Sequence, residues 1–271
     1  MSMGWFRTLA QAIRHAPLLR RLSPLWTLVR PLYIRILRIV GRKGITVRIG
    51  GQTFRIHPDY ARISFESFEP LSYSLLPTHL RPGDAFIDVG TAIGSYTLVA
   101  GRLVGPSGLV VSYEADPAAR RYLEKHLNWN GQADRTVIRP VCCGRTNGEI
   151  SFYISPTDIG GQASIFPQSG FLQISVPCVT LDTDLRTSRI TPRFIKIDVE
   201  GAEWDVLQGS ENILREYMPL LLISLHPTKL ALQGVTESMI LDWLSARGYE
   251  AKVVERDYEV HVFAQPRSKI N

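Results

Sequence analysis

Cysteine is scarce in this sequence. The three that occur, Cys142, Cys143 and Cys178, have neither the CxxC nor the Cys/His spacing of a zinc site. Adjacent residues such as Cys142 and Cys143 rarely pair with each other. The set therefore excludes a disulfide framework and a structural zinc, and it indicates a reducing compartment.

Acidic residues are missing from positions 1–58, which contain eleven basic residues. The whole chain has 31 Lys and Arg against 25 Asp and Glu, so the remainder carries 20 basic and 25 acidic residues. The basic character thus belongs to the N-terminal part, and the rest of the chain is acidic. We expect no nucleic-acid partner, because a surface that follows phosphates needs positive charge.

No apolar run is long enough to span a bilayer, and arginines interrupt every candidate for a secretory signal. We expect a cytoplasmic protein, although an acid-free, Arg-rich start also fits a mitochondrial presequence. Residues 24–43 predict a helix that lies against anionic lipid at the inner membrane face, or equally one that packs on the domain. Its apolar face would carry Leu25, Leu28, Val29, Leu32, Tyr33, Ile36, Ile39 and Val40, opposite Arg30, Arg35, Arg38 and Arg42.

Neither the GxGxxG fingerprint of dinucleotide-binding folds nor a P-loop occurs. What is present is a strand, a glycine turn and a helix in 84–98, with Gly90 and Gly94 following Asp88, and Glu114 ending the next strand. Such a turn lets a ligand approach the backbone, and the acid can bind ribose hydroxyls. The pattern indicates a phosphate-free adenosyl group, of which S-adenosylmethionine is the common one.

A second strand, turn and helix occupies 194–209 and contains two carboxylates, Asp198 and Glu200, at the turn. Ligands of open α/β sheets bind at the carboxyl ends of the strands. Unpaired charge at such a place is costly, so the two acids predict a site. Glu200 could equally be the favourable first acid of the following helix.

Strands and helices alternate through the rest of the chain. We predict an α/β fold with a mostly parallel seven-stranded sheet, closed by an antiparallel C-terminal hairpin. The predicted segments are a basic helical extension at 1–44, a hairpin and helical lead-in at 45–83, and a main domain at 84–271. An inserted hairpin at about 145–180 interrupts that domain. The segments 64–80 and 156–170 are expected to shape a pocket.

Two motifs resemble the FkbM family of S-adenosylmethionine-dependent methyltransferases, which have the Rossmann-like class I methyltransferase fold. The more specific is IKIDVEGAEWDVLQG at 195–209, and FIDVGTAIGSYTL at 86–98 is similar to the family's cofactor loop. The resemblance covers about residues 70–265. The chain departs from the pattern at Thr91 and Ala92, where Ala-Asn is expected.

The resemblance implies methyl transfer, usually to a hydroxyl of a sugar or natural product, with S-adenosylmethionine as cofactor. Gly90, Thr91 and Gly94 would frame the methionine part, and Asp88 would face the loop or the cofactor amine. Glu114 would hold the ribose, and Cys142 and Cys143 would lie at the adenine. Asp198 and Glu200 would face the methyl group and the acceptor.

An alcohol is a poor nucleophile, so a base or a metal must take its proton. His226 is the first choice for the base because its ordinary pKa suits the task, although a structural histidine is equally compatible with the pattern. Asp198 or Glu200 could orient it or hold a divalent metal.

The sequence thus predicts an O-methyltransferase for a saccharide, glycolipid or glycosylated metabolite. A non-catalytic cofactor-binding module, a methyltransferase for another small-molecule acceptor, and a nucleotide-dependent oxidoreductase are the alternatives.

Overall fold

A computed structural model describes residues 43–61, 63–156 and 163–267. The predicted N-terminal helix lies outside these residues. No helix in the described ranges is long and apolar enough to cross a membrane.

Twelve strands occur among the described residues. They are β1 Ile45–Ile49, β2 Gln52–Ile56, β3 Ala85–Val89, β4 Leu109–Tyr113, β5 Thr136–Arg139, β6 Cys142–Cys143, β7 Gly148–Ile154, β8 Leu172–Val179, β9 Phe194–Ile197, β10 Leu220–Leu225, β11 Tyr249–Arg256 and β12 Val260–Pro266. Eight α-helices accompany them in the same part of the chain: α1 Pro70–His79, α2 Ser95–Val104, α3 Pro117–Trp129, α4 Leu181–Thr187, α5 Glu203–Gln208, α6 Glu211–Tyr217, α7 Pro227–Leu230 and α8 Glu237–Ala246.

The main sheet has seven strands in the order β11-β12-β10-β9-β3-β4-β5. Strand β12 is antiparallel to both of its neighbours, and the other pairs are parallel. The predicted sheet with its antiparallel C-terminal hairpin is therefore confirmed. The strand order reverses between β3 and β9, which is where an open α/β sheet offers a crevice for ligands.

Both faces of this sheet are buried. Along β3, Phe86 contributes to one core while Ile87 and Val89 contribute to the other. Helices on both faces exclude water, so the central strands are continuous apolar runs rather than alternating ones.

The predicted hairpin at 45–57 is confirmed as β1 and β2, which pair antiparallel through the turn at Gly50 and Gly51. Its buried side chains, among them Val47 and Phe54, share one core with Phe86 of the main sheet. Helix α1 begins only at Pro70, so the expected helical stretch from residue 64 is shorter than predicted. The division of the chain at 44 and 83 stays a prediction.

The inserted hairpin is also confirmed, as β7 paired antiparallel with β8. Strand β5 of the main sheet ends at Arg139. Cys142 and Cys143 form β6, which pairs with β8 and so belongs to the sheet of the insertion. The chain changes sheet at Pro140, which cannot donate a ladder hydrogen bond.

A close backbone contact joins the ends of β3 and β9. Gly90 has φ +80°, and a Cβ atom built on it would lie 1.7 Å from the carbonyl oxygen of Asp198. The Asp198 N–H donates to the Val89 carbonyl at 2.9 Å. Only glycine allows the turn after β3 to approach the end of β9 so closely.

His126 of α3 ties the hairpin to the turn after β3. Its Nε2 accepts from the His57 N–H at 2.8 Å, which leaves Nδ1 to donate to the Ile93 carbonyl, also at 2.8 Å. Burial lowers the pKa of His126 to about 4, so the imidazole is neutral and both bonds persist at neutral pH.

Replacing Gly90 by Ala should destabilise the fold far more than the same change at Gly131. Both glycines have positive φ, but a Cβ at Gly131 meets nothing within 4 Å. Gly131→Ala is expected to lower the free energy of unfolding by about 1 kcal/mol, and Gly90→Ala by about 3 kcal/mol, because the latter also separates two strand ends. Urea unfolding of both variants measures the difference, and equal losses would contradict the contact.

His126→Gln should remove a pH-dependent part of the stability. The unfolded chain protonates this imidazole below its ordinary pKa of 6.5, whereas the folded chain does so only near 4. The stabilisation by His126 is therefore complete above pH 6.5 and is lost as the pH falls towards 4, by about 3 kcal/mol in total. Urea unfolding at several pH values gives the difference between wild type and variant, and a constant difference would contradict this role.

Candidate functional site

A cleft opens at the carboxyl ends of β3, β4 and β9. Its lining includes the glycine loop 90–94 except Gly94, strand β6, the lead-in around Phe65 and Phe68, and Tyr258 before β12. Its charge is strongly unbalanced, since its described lining has a single lysine, Lys196, and seven carboxylates. The carboxylates belong to Glu69, Asp88, Glu114, Asp116, Asp198, Glu200 and Glu259.

The glycine loop is held by backbone hydrogen bonds. The N–H groups of Gly90 and Thr91 donate to the Tyr113 carbonyl at 3.0 and 3.1 Å, and the Thr91 hydroxyl donates to the Asp88 carbonyl at 2.9 Å. Gly94 has φ +88°, and a Cβ there would lie 2.4 Å from Leu123 of α3. Both glycines are thus required by the fold, and they leave the loop backbone open to the cleft.

Ala92 occupies the position where the family pattern has asparagine, and its φ is +49°. This left-handed conformation is several-fold commoner for asparagine than for alanine, which explains the pattern in physical terms. Two other cleft residues, Glu69 and Glu200, also have positive φ, at +46° and +54°. Strained backbone of this kind is concentrated at functional sites.

Asp88, at the end of β3, is buried against α2. Its carboxylate accepts from the Thr97 hydroxyl at 2.6 Å. Burial raises its pKa to about 6 in spite of that hydrogen bond. The side chain is anchored to the helix while it borders the cleft.

Glu114 follows β4 and closes the other side of the glycine loop. One carboxylate oxygen accepts from the Ala92 N–H at 2.6 Å and the other from the Asp116 N–H at 2.7 Å. Burial raises its pKa to about 7. The two amides fix the carboxylate in place, and each of its oxygens keeps a lone pair for a further donor.

Cys142 and Cys143 line the cleft next to Glu114. Burial raises the pKa of both thiols, that of Cys142 to about 12, so both are protonated and unreactive at neutral pH. They offer an apolar wall beside the glycine loop.

Lys196 and Asp198 form a buried ion pair. The Lys196 ammonium, 1% exposed, donates to Asp198 Oδ2 at 3.0 Å and to the Ser224 hydroxyl at 2.7 Å. Burial opposes the charge of Asp198, but Lys196 and then His226 outweigh it and hold its pKa below the ordinary value. Asp198 is therefore an anion at the edge of the cleft.

His226 follows β10 and lies among four carboxylates. Its Nδ1 is 2.9 Å from Glu203 Oε1, and its Nε2 is 3.3 Å from Glu259 Oε1, 3.4 Å from Glu200 Oε2 and 4.0 Å from Asp198 Oδ1. Burial opposes the cation, but the hydrogen bond with Glu203 and the negative charges of the surrounding carboxylates outweigh it and raise the pKa of His226 to about 11. A histidine in this state already holds its proton, so the general-base role stays a prediction that these surroundings do not favour.

Glu200 is the outermost of these acids. Its carboxylate forms an ion pair with Lys229 of α7, and burial raises its pKa. The structure thus brings together all three residues predicted for catalysis, Asp198, Glu200 and His226.

Three acids of this site were not identified from the sequence. Glu259 precedes β12, Glu69 precedes α1, and Glu203 opens α5. All three are at most 4% exposed. For Glu203 the sequence does offer a signal, because its carboxylate lies within an otherwise apolar stretch of the motif at 195–209. Acids in turns and loops, such as Glu259 and Glu69, are ordinarily solvated and give no such signal.

The comparisons with known proteins agree with this architecture. The model of the methyltransferase FkbM domain matches residues 88–251, which is more than half of the chain.

Solved structures similar to this chain include an FkbM methyltransferase from Methylobacillus flagellatus, at 15% identity and a TM-score of 0.47 over 76% of this chain. This chain spans about half, 52%, of that protein. An S-adenosylmethionine-dependent O-methyltransferase from Thermotoga maritima has 16% identity and a TM-score of 0.44, over 74% of this chain and 66% of the other. A precorrin-6y methyltransferase from Geobacter metallireducens has 12% identity and a TM-score of 0.46, over 74% and 88%.

The extent of the domain match, on a sheet of this strand order, gives the assignment. The chain belongs to the FkbM family of methyltransferases.

Proposed function

We propose that this protein transfers the methyl group of S-adenosylmethionine to a hydroxyl group of a saccharide, a glycolipid or a glycosylated metabolite. The observation that carries the proposal is the placement of Asp198, Glu200 and Glu259 on one cleft with the glycine loop. Carboxylates beside a methyl donor are suited to take the proton of an attacking alcohol.

The residues of the cleft fit the cofactor. Gly90, Thr91 and Ala92 of the glycine loop line the cleft, and Glu114 presents a fixed carboxylate of the kind that binds ribose hydroxyls. Thr91 and Asp88 border the methionine end in this proposal, and Cys142 and Cys143 border the adenine. Seven carboxylates against one lysine suit a ligand with a sulfonium and an ammonium group.

The bound cofactor would supply an electrophilic methyl group. The chain's own contribution is to hold the acceptor oxygen close and in line, and to accept its proton. Four aromatic side chains of the cleft lining offer flat apolar surfaces for the acceptor: Tyr60, Phe65, Phe68 and Tyr258. The seven carboxylates of the lining would repel a polyanionic acceptor such as nucleic acid.

Glu114→Ala should weaken cofactor binding. Loss of hydrogen bonds to a charged group costs about 1.5–3 kcal/mol, which corresponds to about a 10- to 100-fold weaker affinity for S-adenosylhomocysteine. Calorimetric titration of the purified chain measures this, with Glu149→Ala as the control because Glu149 is an exposed carboxylate of β7. Wild-type protein that binds no S-adenosylhomocysteine would contradict the proposal.

Glu200→Gln should lower methyl transfer by about 100-fold, since it removes a proton acceptor, while the affinity for S-adenosylhomocysteine changes less than about twofold. Radiolabelled S-adenosylmethionine and a panel of matched sugars, with a hydroxyl, an amino group or hydrogen at one carbon, measure the transfer. The control is Glu250→Gln, an exposed position on β11. Transfer to amino sugars alone would overturn the assignment as an O-methyltransferase.

A further inference from the structure

We propose that Asp198, His226 and Glu259 bind a divalent transition-metal ion at the acceptor end of the cleft. The inference deepens the proposed function, because the ion would lie where the acceptor hydroxyl is expected. It concerns a ligand set drawn from three separate strand ends, after β9, after β10 and before β12.

The three side chains have the spacing of a metal site. One ligand atom from each lies within 4.8 Å of the other two. His226 Nε2 is 3.3 Å from Glu259 Oε1 and 4.0 Å from Asp198 Oδ1. Ligands bound at about 2.0–2.2 Å stand roughly 3–4 Å apart, so an ion fits between these atoms with small side-chain movements.

The imidazole points an unsatisfied nitrogen at this position. His226 is 6% exposed, and its Nε2 has no hydrogen-bond partner among the described residues, although three carboxylates surround it. Glu259, 4% exposed, likewise has one carboxylate oxygen without a partner in that part of the chain. Buried polar atoms are rarely left unpaired without a ligand, so both observations call for one.

The other imidazole nitrogen is already oriented. Nδ1 lies 2.9 Å from Glu203 Oε1, which also accepts from the Gly201 N–H at 2.8 Å. Metal-binding histidines ordinarily have their second nitrogen on a carboxylate, which fixes the ring. Glu203 is therefore a positioning residue in this proposal.

Local cations leave the ligand oxygens available. Lys196 binds Oδ2 of Asp198, so Oδ1 is the oxygen that faces His226. Lys229 pairs with Glu200, which stands beside the site but is held by that lysine. The competing explanation for the cluster is a set of ion pairs without a metal. In that case Glu203 and Glu259, two buried carboxylates, would share the single positive charge of His226.

The donor set indicates the class of metal. One imidazole and two carboxylates suit Mn²⁺, Fe²⁺ or Zn²⁺ better than Ca²⁺ or Mg²⁺, which prefer oxygen alone. Because Asp198 and Glu259 line the cleft, an ion held there has an open side towards the acceptor. Coordination would polarise the acceptor hydroxyl and favour loss of its proton.

A second group, Glu69, Glu259 and His261, has similar spacing and shares Glu259. All three of its members are buried, and the Tyr96 hydroxyl donates to Glu69 Oε2 while the Ser224 hydroxyl lies 3.0 Å from His261 Nδ1. His261 Nε2 also lacks a hydrogen-bond partner in the described part of the chain, but the two atoms that face each other in this group, Glu69 Oε2 and His261 Nδ1, are already engaged by these hydroxyls. We therefore place the ion at His226. His261 provides the matched control.

The test is a titration of the chelator-treated full chain with Mn²⁺, without cofactor or acceptor, followed by the electron paramagnetic resonance signal of free Mn²⁺. We expect one ion per chain at micromolar Kd and, in the pulsed spectrum, modulation from a coordinated imidazole nitrogen. His226→Asn and Asp198→Asn should weaken binding by at least about tenfold, and the nitrogen modulation should vanish in His226→Asn. His261→Gln should leave both signals unchanged.

Glu203→Gln keeps all three ligands and is expected to weaken Mn²⁺ binding by about tenfold. If a ligand variant no longer binds S-adenosylhomocysteine and so has not folded, the Glu203→Gln variant tests the metal site in its place. Wild-type protein that binds S-adenosylhomocysteine but shows no saturable Mn²⁺ binding would overturn this inference alone. Loss of Mn²⁺ binding in His261→Gln but not in His226→Asn would also overturn this inference. Wild-type protein that binds Mn²⁺ but not S-adenosylhomocysteine would instead contradict the proposed function.

Discussion

Carboxylates gathered in a nearly dry cleft impose the main physical constraint on this protein. An uncompensated buried charge costs several kcal/mol, so every acid at the strand ends needs a partner. Lys196 compensates Asp198, His226 compensates Glu203, and Lys229 compensates Glu200. These cations come from β9, from the end of β10 and from α7, so the site is balanced only when the whole sheet is assembled. Site and fold are thus stabilised together.

Much of this arrangement could be predicted because its signals are local. The turn after β3 is encoded by an apolar strand, Asp88 and two glycines within seven residues, and the turn after β9 by Asp198 and Glu200 within three. Buried parallel strands are apolar along their whole length, so the mostly parallel sheet with its antiparallel C-terminal hairpin could be predicted as well. Among the predicted site residues, those that line one cleft are Asp88, Gly90, Thr91, Glu114, Asp198, Glu200 and both cysteines, whereas Gly94 packs against Leu123 of α3.

What could not be predicted depends on pairing between distant residues. Glu259 and Glu69 enter the cleft through the register of β12 and the end of the lead-in, which no short motif specifies. The protonation state of His226 depends on four acids that lie 23 to 33 residues from it along the chain. Its ordinary pKa therefore did not predict whether it could act as a base. Cys142 leaves the main sheet because β8, 30 residues later, supplies a better partner.

The position of β12 has a consequence for how the chain is made. Strand β11 is synthesised before β12, which is its one partner strand among the described residues and which inserts between it and β10. Once β11 has left the ribosome tunnel and before β12 has done so, the chain therefore exposes unpaired edges on β10 and on β11, and its cleft lacks Glu259. Such edges are templates for association with other chains. When β12 leaves the ribosome tunnel it closes both edges and adds the final acid to the cleft, so solubility and the completed site arrive in one step.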